Sequence, residues 1–159
     1  MGKVHPHLWF HDRAEEAAQF YVSVIPGSQI TSVTRAPSGV PDVPEGAAFV
    51  VQLALDGVPF TFLNAGPAFT LDEAYSMYLE CDSQDEVDRY WDLLVADGGE
   101  HSQCGWLRDR FGVSWQVVPK GIDDYVMGSD PERAARAMAA MMGMTRLDLA
   151  GLRAAYEGA

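Results

Sequence analysis

An internal repeat constrains the fold of this 159-residue chain more than any other feature of its sequence. Four residues around the first predicted helix have counterparts 70 positions later, where Asp12, Glu16, Phe20 and Tyr21 become Asp82, Glu86, Tyr90 and Trp91. A tight turn and the strand after it recur at an offset of 55, where Gly57-Val58-Pro59-Phe60 becomes Gly112-Val113-Ser114-Trp115. A strand, a helix and a hairpin that recur in the same order predict two similar modules in tandem.

Residue patterns predict the elements of the first module. Apolar and polar residues alternate over 4–10, which indicates a strand, and Asp12 with Glu15 resembles a capping box that opens a helix. Alanine and aromatic residues continue at helical spacing to Ile25, and Pro26-Gly27 ends the helix. Three further strands are predicted at 29–35, 47–55 and 59–64, and a hairpin turn at Asp56-Gly57 joins the last two.

The second module repeats this order over 73–120. A strand is predicted at 74–81, and Ser83 with Glu86 forms a capping box for a helix that ends near Ala96. Two short strands follow at 106–109 and 114–119, separated by a turn at 110–112. Modules of about 1–66 and 73–120 therefore form one paired domain, 1–120, with an α+β fold of two βαβββ units.

Residues 121–159 break the repeat and are predicted to be helical. Asp130 caps a helix whose first position is Pro131, and Thr145 with Asp148 resembles the start of another. A stripe of alanine and methionine residues follows Asp130 at helical spacing. This stripe predicts that a C-terminal helical extension packs on the same domain or on a dimer partner.

The excess of acidic residues excludes several classes of partner. The chain has 11 Lys and Arg against 23 Asp and Glu, which gives a formal net charge of −12. Nucleic acids and acidic membrane surfaces would be repelled, and no apolar run approaches the roughly 20 residues of a membrane span. The two cysteines, Cys81 and Cys104, form no CxxC motif, so we expect a reduced, cytoplasmic protein without structural zinc.

Strand alternation predicts which side chains lie on the sheet face that the helices leave open. If the apolar positions pack against helices, the alternate positions of four strands share the open face. Glu80, Ser114 and Val118 belong to this set. The residues expected to bind a ligand there are His5, His7, Trp9, Thr61, Leu63, Ser76, Tyr78 and Gln116. A register slip of one residue would reverse every face.

Several segments resemble one known family. HLWFHDRAEEAAQFY at 7–21, NAGP at 64–67, CDSQDEVDRYW at 81–91 and QCGWLRDRFGVSWQVVP at 103–119 are similar to the PhnB-like branch of the vicinal-oxygen-chelate superfamily. This superfamily has the glyoxalase and bleomycin-resistance fold. The resemblance implies that the mixed sheet curls into an open cup, that the protein is a homodimer, and that a small molecule or a metal binds in the cup.

The same resemblance suggests an enzymatic activity that the sequence does not support. Branch members are often described as a demethylubiquinone methyltransferase. We disfavour that activity because the sequence lacks a Gly-rich strand-turn-helix motif of the kind that a nucleotide-like methyl donor uses.

The resemblance also implies four positions for metal ligands, one on each of four strands. The residues nearest to them are His5, Thr61, Ser76 and Gln116. His5 is a good ligand and Gln116 a fair one, but serine and threonine hydroxyls are weak, neutral donors. His7 or Glu80 could complete a displaced site. We therefore favour no metal or other cofactor, while a divalent metal held by His5 and Gln116 stays open.

Two functions of different kinds are compatible with these residues. One is a metal-free protein that binds a small apolar or aromatic molecule in the cup. The other is a metal-dependent isomerase, lyase or dioxygenase, in which the ion polarises a pair of substrate oxygens. Because this fold hosts many chemistries, the sequence does not decide whether the protein is an enzyme.

Three further residues could have a chemical or a structural role. Cys104 has no base beside it in the sequence, so we expect a packed thiol and not a nucleophile. Arg108 and Arg110 border a turn and could hold an anionic substrate. A solvated surface position, or an ion pair with Asp109 or a helix acid, is the more usual outcome for such arginines.

Overall fold

The computed structural model describes residues 2–159 and divides the chain into two units, Met1–Leu71 and Asp72–Ala159. The elements of the first unit are β1 (His7–Phe10), α1 (Ala14–Val24), β2 (Gln29–Arg35), β3 (Ala48–Leu55) and β4 (Val58–Asn64). The strands form one sheet in the order β1-β4-β3-β2. Strand β1 runs parallel to β4, whereas the other neighbours pair antiparallel.

The second unit repeats this arrangement. Its first elements are β5 (Ser76–Cys81), α2 (Gln84–Val95), β6 (Glu100–His101), β7 (Trp106–Arg108) and β8 (Ser114–Pro119). The strand order is β5-β8-β7-β6, with β5 parallel to β8 and the other pairs antiparallel. The identical order in the two sheets confirms the tandem βαβββ modules and the α+β fold.

Three helices complete the second unit and confirm the predicted helical extension. They are α3 (Asp123–Val126), α4 (Pro131–Met142) and α5 (Leu149–Glu157). No helix formed by residues 2–159 is both long enough and apolar enough to cross a membrane.

One face of the first sheet forms a core with α1. Leu8 and Phe10 are buried, while His7 is exposed, so the predicted alternation of the first strand is confirmed. The Phe62 ring lies 4.9 Å from Phe10 and meets Tyr21 edge-on at 5.9 Å. The strand begins at His7 and not at Val4.

The start of α1 differs from the prediction. The capping position is Arg13, and its side chain caps no helix amide, so the predicted capping box at Asp12 and Glu15 is wrong. Asn64, at the end of β4, supplies the cap instead, because its Oδ1 accepts a 2.8 Å hydrogen bond from the Ala14 amide. Its Nδ2 donates to the Ala48 carbonyl at 3.0 Å. One buried amide therefore ties the helix to two strands.

In the second unit the cap is local, as the sequence predicts. Ser83 Oγ accepts a 3.2 Å hydrogen bond from the Glu86 amide, and the Glu86 carboxylate accepts one from the Asp82 amide at 2.8 Å. The first bond satisfies an amide that the first turn of α2 leaves unpaired, and the second ties the residue before the cap to the helix. The two modules thus begin equivalent helices with different caps.

A buried carboxylate organises the turn between β7 and β8. Asp109 is 3% exposed and accepts hydrogen bonds from the amides of Phe111 and Val113 at 2.9 and 3.0 Å. Its second oxygen accepts a 2.8 Å bond from the indole nitrogen of Trp115 in β8. Gly112 within the turn has a φ of 86°, which glycine adopts without strain. Several residues of the 103–119 motif therefore stabilise the β7–β8 turn.

The helical extension packs on the last strand of its own unit. It covers Val118, so the prediction that this side chain lies on the open face is wrong. The buried side chains of this cluster are Val118, Ile122, Val126, Ala137, Leu147 and Leu152. Gln84 of α2 joins the segment between α4 and α5, since its Nε2 donates to the Leu147 carbonyl and its Oε1 accepts from the Leu149 amide, both at 2.9 Å. Polar and apolar contacts together hold the extension to the second unit.

Short elements account for most other differences from the prediction. Strand β6 has two residues and α3 has four, and neither length leaves a periodic pattern in the sequence.

The cap of α5 is Asp148, whose Oδ1 accepts a hydrogen bond from the Ala150 amide, and not Thr145. Asp56 and Gly57 adopt φ values of 46° and 77°, which confirms the hairpin turn.

The two cysteines occupy different environments. Cys81 is fully buried, and burial raises the pKa of its thiol to about 12, with the Glu86, Asp82 and Glu80 carboxylates acting in the same direction. Cys104 is partly buried, and its Sγ donates to the Met141 carbonyl at 3.5 Å. The Cys104 thiol is thus packed only in part.

The Asn64 bonds give a stability prediction. We expect Asn64→Ala to lower the free energy of unfolding by about 2–4 kcal/mol, because a buried donor and acceptor lose their partner and α1 loses its cap. Urea unfolding followed by circular dichroism measures this. Gln19→Ala, which removes an exposed amide from the same helix, should change stability by less than about 0.5 kcal/mol. Equal effects of the two substitutions would contradict the assigned cap.

Thiol titration tests the two cysteine environments. At pH 8 the native protein should react rapidly with Ellman's reagent at Cys104 only, because burial and a raised pKa keep the Cys81 thiol protonated and inaccessible. Both thiols should react after denaturation. A Cys104→Ser variant should lose the rapid phase, and rapid labelling of Cys81 in that variant would contradict the structure.

Candidate functional site

The candidate site of the first unit lies where β1 meets β4. A 3.0 Å hydrogen bond joins His5 Nε2, just before β1, to Thr61 Oγ1 in β4. The parallel register pairs Thr61 with His7, so the bond runs diagonally to the residue two positions earlier. Thr61 is 6% exposed, and a hydroxyl at that depth requires a partner. The structure thus brings together two of the predicted ligand-binding residues.

The His5–Thr61 pair borders a pocket of about 60 Å³. Gln52 lines the pocket from β3, and the β3–β4 register places it opposite Thr61. Ala54 and Pro59 contribute apolar lining. A few polar groups among apolar ones are typical of small-molecule sites.

Gln52 is a lining residue that the sequence analysis missed. A signal for it was present, because Gln52 and Thr61 are equally distant from the predicted hairpin turn at Asp56-Gly57. A two-residue hairpin turn fixes the register of its strands, so the pairing follows from the turn. Its Oε1 accepts a 3.1 Å hydrogen bond from Ser32 Oγ on β2.

The other predicted residues of the first unit have different surroundings. Trp9 donates its indole N–H to the Gly66 carbonyl at 2.9 Å, and the Phe69 ring meets it edge-on at 5.0 Å. Leu63 is half-buried and pairs with Trp9 in the register. His7 is exposed, and no residue in the part of the chain that the structure describes hydrogen-bonds its ring. The segment after β4 therefore orients the Trp9 indole.

The second unit contains the same diagonal bond. Gln116 Nε2 donates to Ser76 Oγ at 2.9 Å. The register pairs Gln116 with Tyr78, so Ser76 stands two positions before that partner, as His5 stands before His7. In each module the residues at the two positions satisfy one another.

Tyr78 is the most exposed of the predicted site residues in the second unit, at 58%. Burial of the remaining surface raises the pKa of its phenol, and the carboxylates of Asp123 and Glu80 raise it further. The hydroxyl therefore stays protonated at neutral pH and can donate a hydrogen bond.

The residues at the four positions that the superfamily uses for metal ligands do not fit a divalent ion. Thr61 and Ser76 offer neutral hydroxyls, and Gln116 directs its amide nitrogen at Ser76. His5 is the one strong ligand in this set. Among residues 2–159, no three His, Cys, Asp or Glu side chains converge as ligands of a metal would.

Arg108 and Arg110 make ion pairs, as expected, but with other partners. An Arg108 guanidinium nitrogen lies 2.7 Å from Glu100, and an Arg110 nitrogen lies 3.2 Å from Asp97. Asp109, the neighbour considered in the sequence analysis, binds Trp115 and the turn amides. The arginines thus pair with acids at the start and end of the α2–β6 connection.

Comparison with known proteins identifies related chains. Residues 2–118 match the family model described as 3-demethylubiquinone-9 3-methyltransferase. A PhnB protein from Bacillus cereus with the same methyltransferase description is 31% identical, with a TM-score of 0.68, over 74% of this chain and 99% of that one. No curated protein matches the chain.

More distant structures share the fold alone. A protein from Pseudomonas aeruginosa, PA1353, is 21% identical with a TM-score of 0.62, over 75% of this chain and 98% of that one. The fosfomycin resistance protein FosX from Listeria monocytogenes is 14% identical with a TM-score of 0.55, over 77% of this chain and 94% of that one. The family match, the 31% identical relative and the repeated βαβββ order agree. The chain belongs to the PhnB-like family of the vicinal-oxygen-chelate superfamily, which has the glyoxalase fold.

Proposed function

We propose that this protein binds a small apolar or aromatic molecule on the sheet faces opposite α1 and α2, without a catalytic metal. The observation that carries the proposal is the His5–Thr61 hydrogen bond at a pocket with apolar lining. A hydroxyl and an imidazole can each donate or accept, so they suit a carbonyl or hydroxyl of a ligand.

The size of the pocket defines which part of a ligand it could take. About 60 Å³ is well below the roughly 300–1,000 Å³ of a complete small-molecule site, so the pocket would hold one polar group of the ligand. The remainder would lie on neighbouring side chains of the same face, where Trp9 and Leu63 offer apolar surface. A ligand with a ring and one carbonyl or hydroxyl group fits this description.

Residues of the second unit support the same kind of ligand independently. Gln116 and Ser76 form a satisfied polar pair, and Tyr78 presents a protonated phenol beside them in the register. Aromatic rings with a polar end are suited to small molecules that combine both characters. We therefore propose that these three residues bind ligand in the second unit and that His5, His7, Trp9, Thr61 and Leu63 do so in the first.

The metal-dependent alternative has weaker support. An isomerase, lyase or dioxygenase of this superfamily would need His5 and Gln116, with His7 or Glu80, to hold a divalent ion. His5 is hydrogen-bonded to Thr61, whereas His7 and Glu80 stand on exposed positions of different strands. A methyltransferase activity is disfavoured for a separate reason, since the chain carries no Gly-rich turn for a nucleotide-like donor.

Ligand binding gives the test. A thermal-shift screen of small aromatic ketones and phenols should find stabilising compounds, and Thr61→Val should weaken their affinity about fivefold or more. The substitution keeps the shape of the side chain but removes the hydroxyl that bonds His5.

A matched substitution separates this effect from a general one. Thr145→Val, at an exposed position of the second unit, should leave the affinity unchanged. The proposed site is wrong if Thr61→Val and His5→Ala both bind the compounds as the unsubstituted protein does, or if no compound of the panel binds.

We further propose that the protein is a homodimer. In the first unit β1 and β2 are outer strands of the sheet, and in the second unit β5 and β6 are. Tyr75, next to β5, is 43% exposed. Outer strands and exposed aromatic residues are features that a partner subunit commonly covers.

Mass measurement tests the dimer. Size-exclusion chromatography with light scattering should give about 35 kDa, twice the 17.4 kDa of one chain. A mass near 17.4 kDa at micromolar protein would refute the proposal.

A further inference from the structure

A buried hydroxyl in the second unit has no hydrogen-bond partner. Ser114, the first residue of β8, is 2% exposed, and its Oγ is the one such buried side-chain atom among residues 2–159. An unpaired buried polar group costs stability and therefore calls for an explanation, such as a bound molecule that supplies the partner. The His5–Thr61 and Gln116–Ser76 pairs do not involve it.

Ser114 lines a pocket of about 120 Å³. The β7–β8 register pairs Ser114 with Arg108, and strand alternation places Trp106 on the same face, since Leu107 between them is buried on the other side. Glu73, Glu100, Ser102 and His101 complete the polar lining. The His101 Nδ1 accepts a 3.1 Å hydrogen bond from the Trp91 indole. A space of this size admits a group of a few heavy atoms.

The charges of the pocket favour a cation. Arg108 and Glu100 neutralise one another through the 2.7 Å ion pair. Glu73 is exposed and has no ion pair or hydrogen bond with any other residue that the structure describes, so its carboxylate leaves one negative charge. An anion would have to displace Glu100 from Arg108 and would meet the Glu73 charge. The overall charge of −12 also disfavours an anion.

We infer that this pocket binds a compact cationic group of the primary-ammonium type. The ammonium N–H groups would donate to Ser114 Oγ and to the Glu73 carboxylate, and its charge would lie near the Trp106 indole. The inference uses residues of the second unit alone and does not rest on the ligand proposed above.

Ethylammonium chloride is the probe that tests it. Titration into ¹⁵N-labelled protein, with sodium chloride, sodium acetate and ethanol as separate controls, should give a saturable shift of the Trp106 indole N–H with ethylammonium alone. A Trp106→Phe variant assigns that signal. The limit on binding per heavy atom puts the expected Kd of so small a probe in the millimolar range.

Two substitutions test whether Ser114 and Glu73 form the binding site of ethylammonium. Ser114→Ala and Glu73→Gln should each weaken ethylammonium binding about fivefold, whereas Glu132→Gln, at an exposed position on α4, should not. Urea unfolding should show that Ser114→Ala is not destabilised, because the hydroxyl it removes is unpaired. A shift that does not saturate, an equal shift with ethanol or acetate, or unchanged affinity in both variants would overturn the inference.

Discussion

The parallel pairing of the first and last strands of each module is the constraint on which the rest of the structure depends. It joins β1 to β4 and β5 to β8, and it determines which side chains stand next to each other across the strands. In both modules a residue on the last strand bonds diagonally to the residue two positions before its register partner. Because strands alternate their faces, Leu8 and Phe10 are buried on the face opposite His7. The core and the candidate site therefore lie on opposite faces of the same paired strands.

These diagonal bonds are the reason why we propose a metal-free site at the four positions where the superfamily places metal ligands. A polar residue on a sheet face can be satisfied by a metal, a ligand, water or a neighbour. Here His5 is satisfied by Thr61 and Ser76 by Gln116. A ligand would add to, or compete with, a hydrogen bond that already exists. This is consistent with binding of a neutral polar group and gives no reason to require a catalytic metal.

Family membership explains the fold of this chain better than its function. In the segment that is most recognisable, Asp109 binds Trp115 and the amides of its own turn. In the NAGP segment, Asn64 caps α1 and binds β3. These residues hold elements together, and none of them lines the His5 pocket. The family resemblance therefore rests largely on structural devices, and the methyltransferase description of the family model does not transfer with them.

Local patterns made most of the fold predictable from the sequence. Alternation gave the faces of β1 and β5, and Ser83 and the Asp56-Gly57 turn were recognisable because their signals lie within a few residues. The Asn64 cap was not recognisable, because it bonds an amide 50 residues away. For the site, sequence alternation placed His5 and Thr61 on one face, but their bond depends on the register between β1 and β4. Ser114 was placed on the open face, yet its lack of a partner depends on every neighbour around it.

The metal content of the protein tests the central claim most directly. Elemental analysis of protein purified without added metal, followed by thermal unfolding with Mn²⁺, Ni²⁺, Zn²⁺ and Fe²⁺, compares the unsubstituted chain with His5→Ala. His5 is hydrogen-bonded to Thr61, and Gln116 is hydrogen-bonded to Ser76. We therefore predict far less than one bound ion per chain and the same response to each metal in both proteins. About one bound ion per chain, together with a metal-dependent rise in Tm that His5→Ala abolishes, would contradict it.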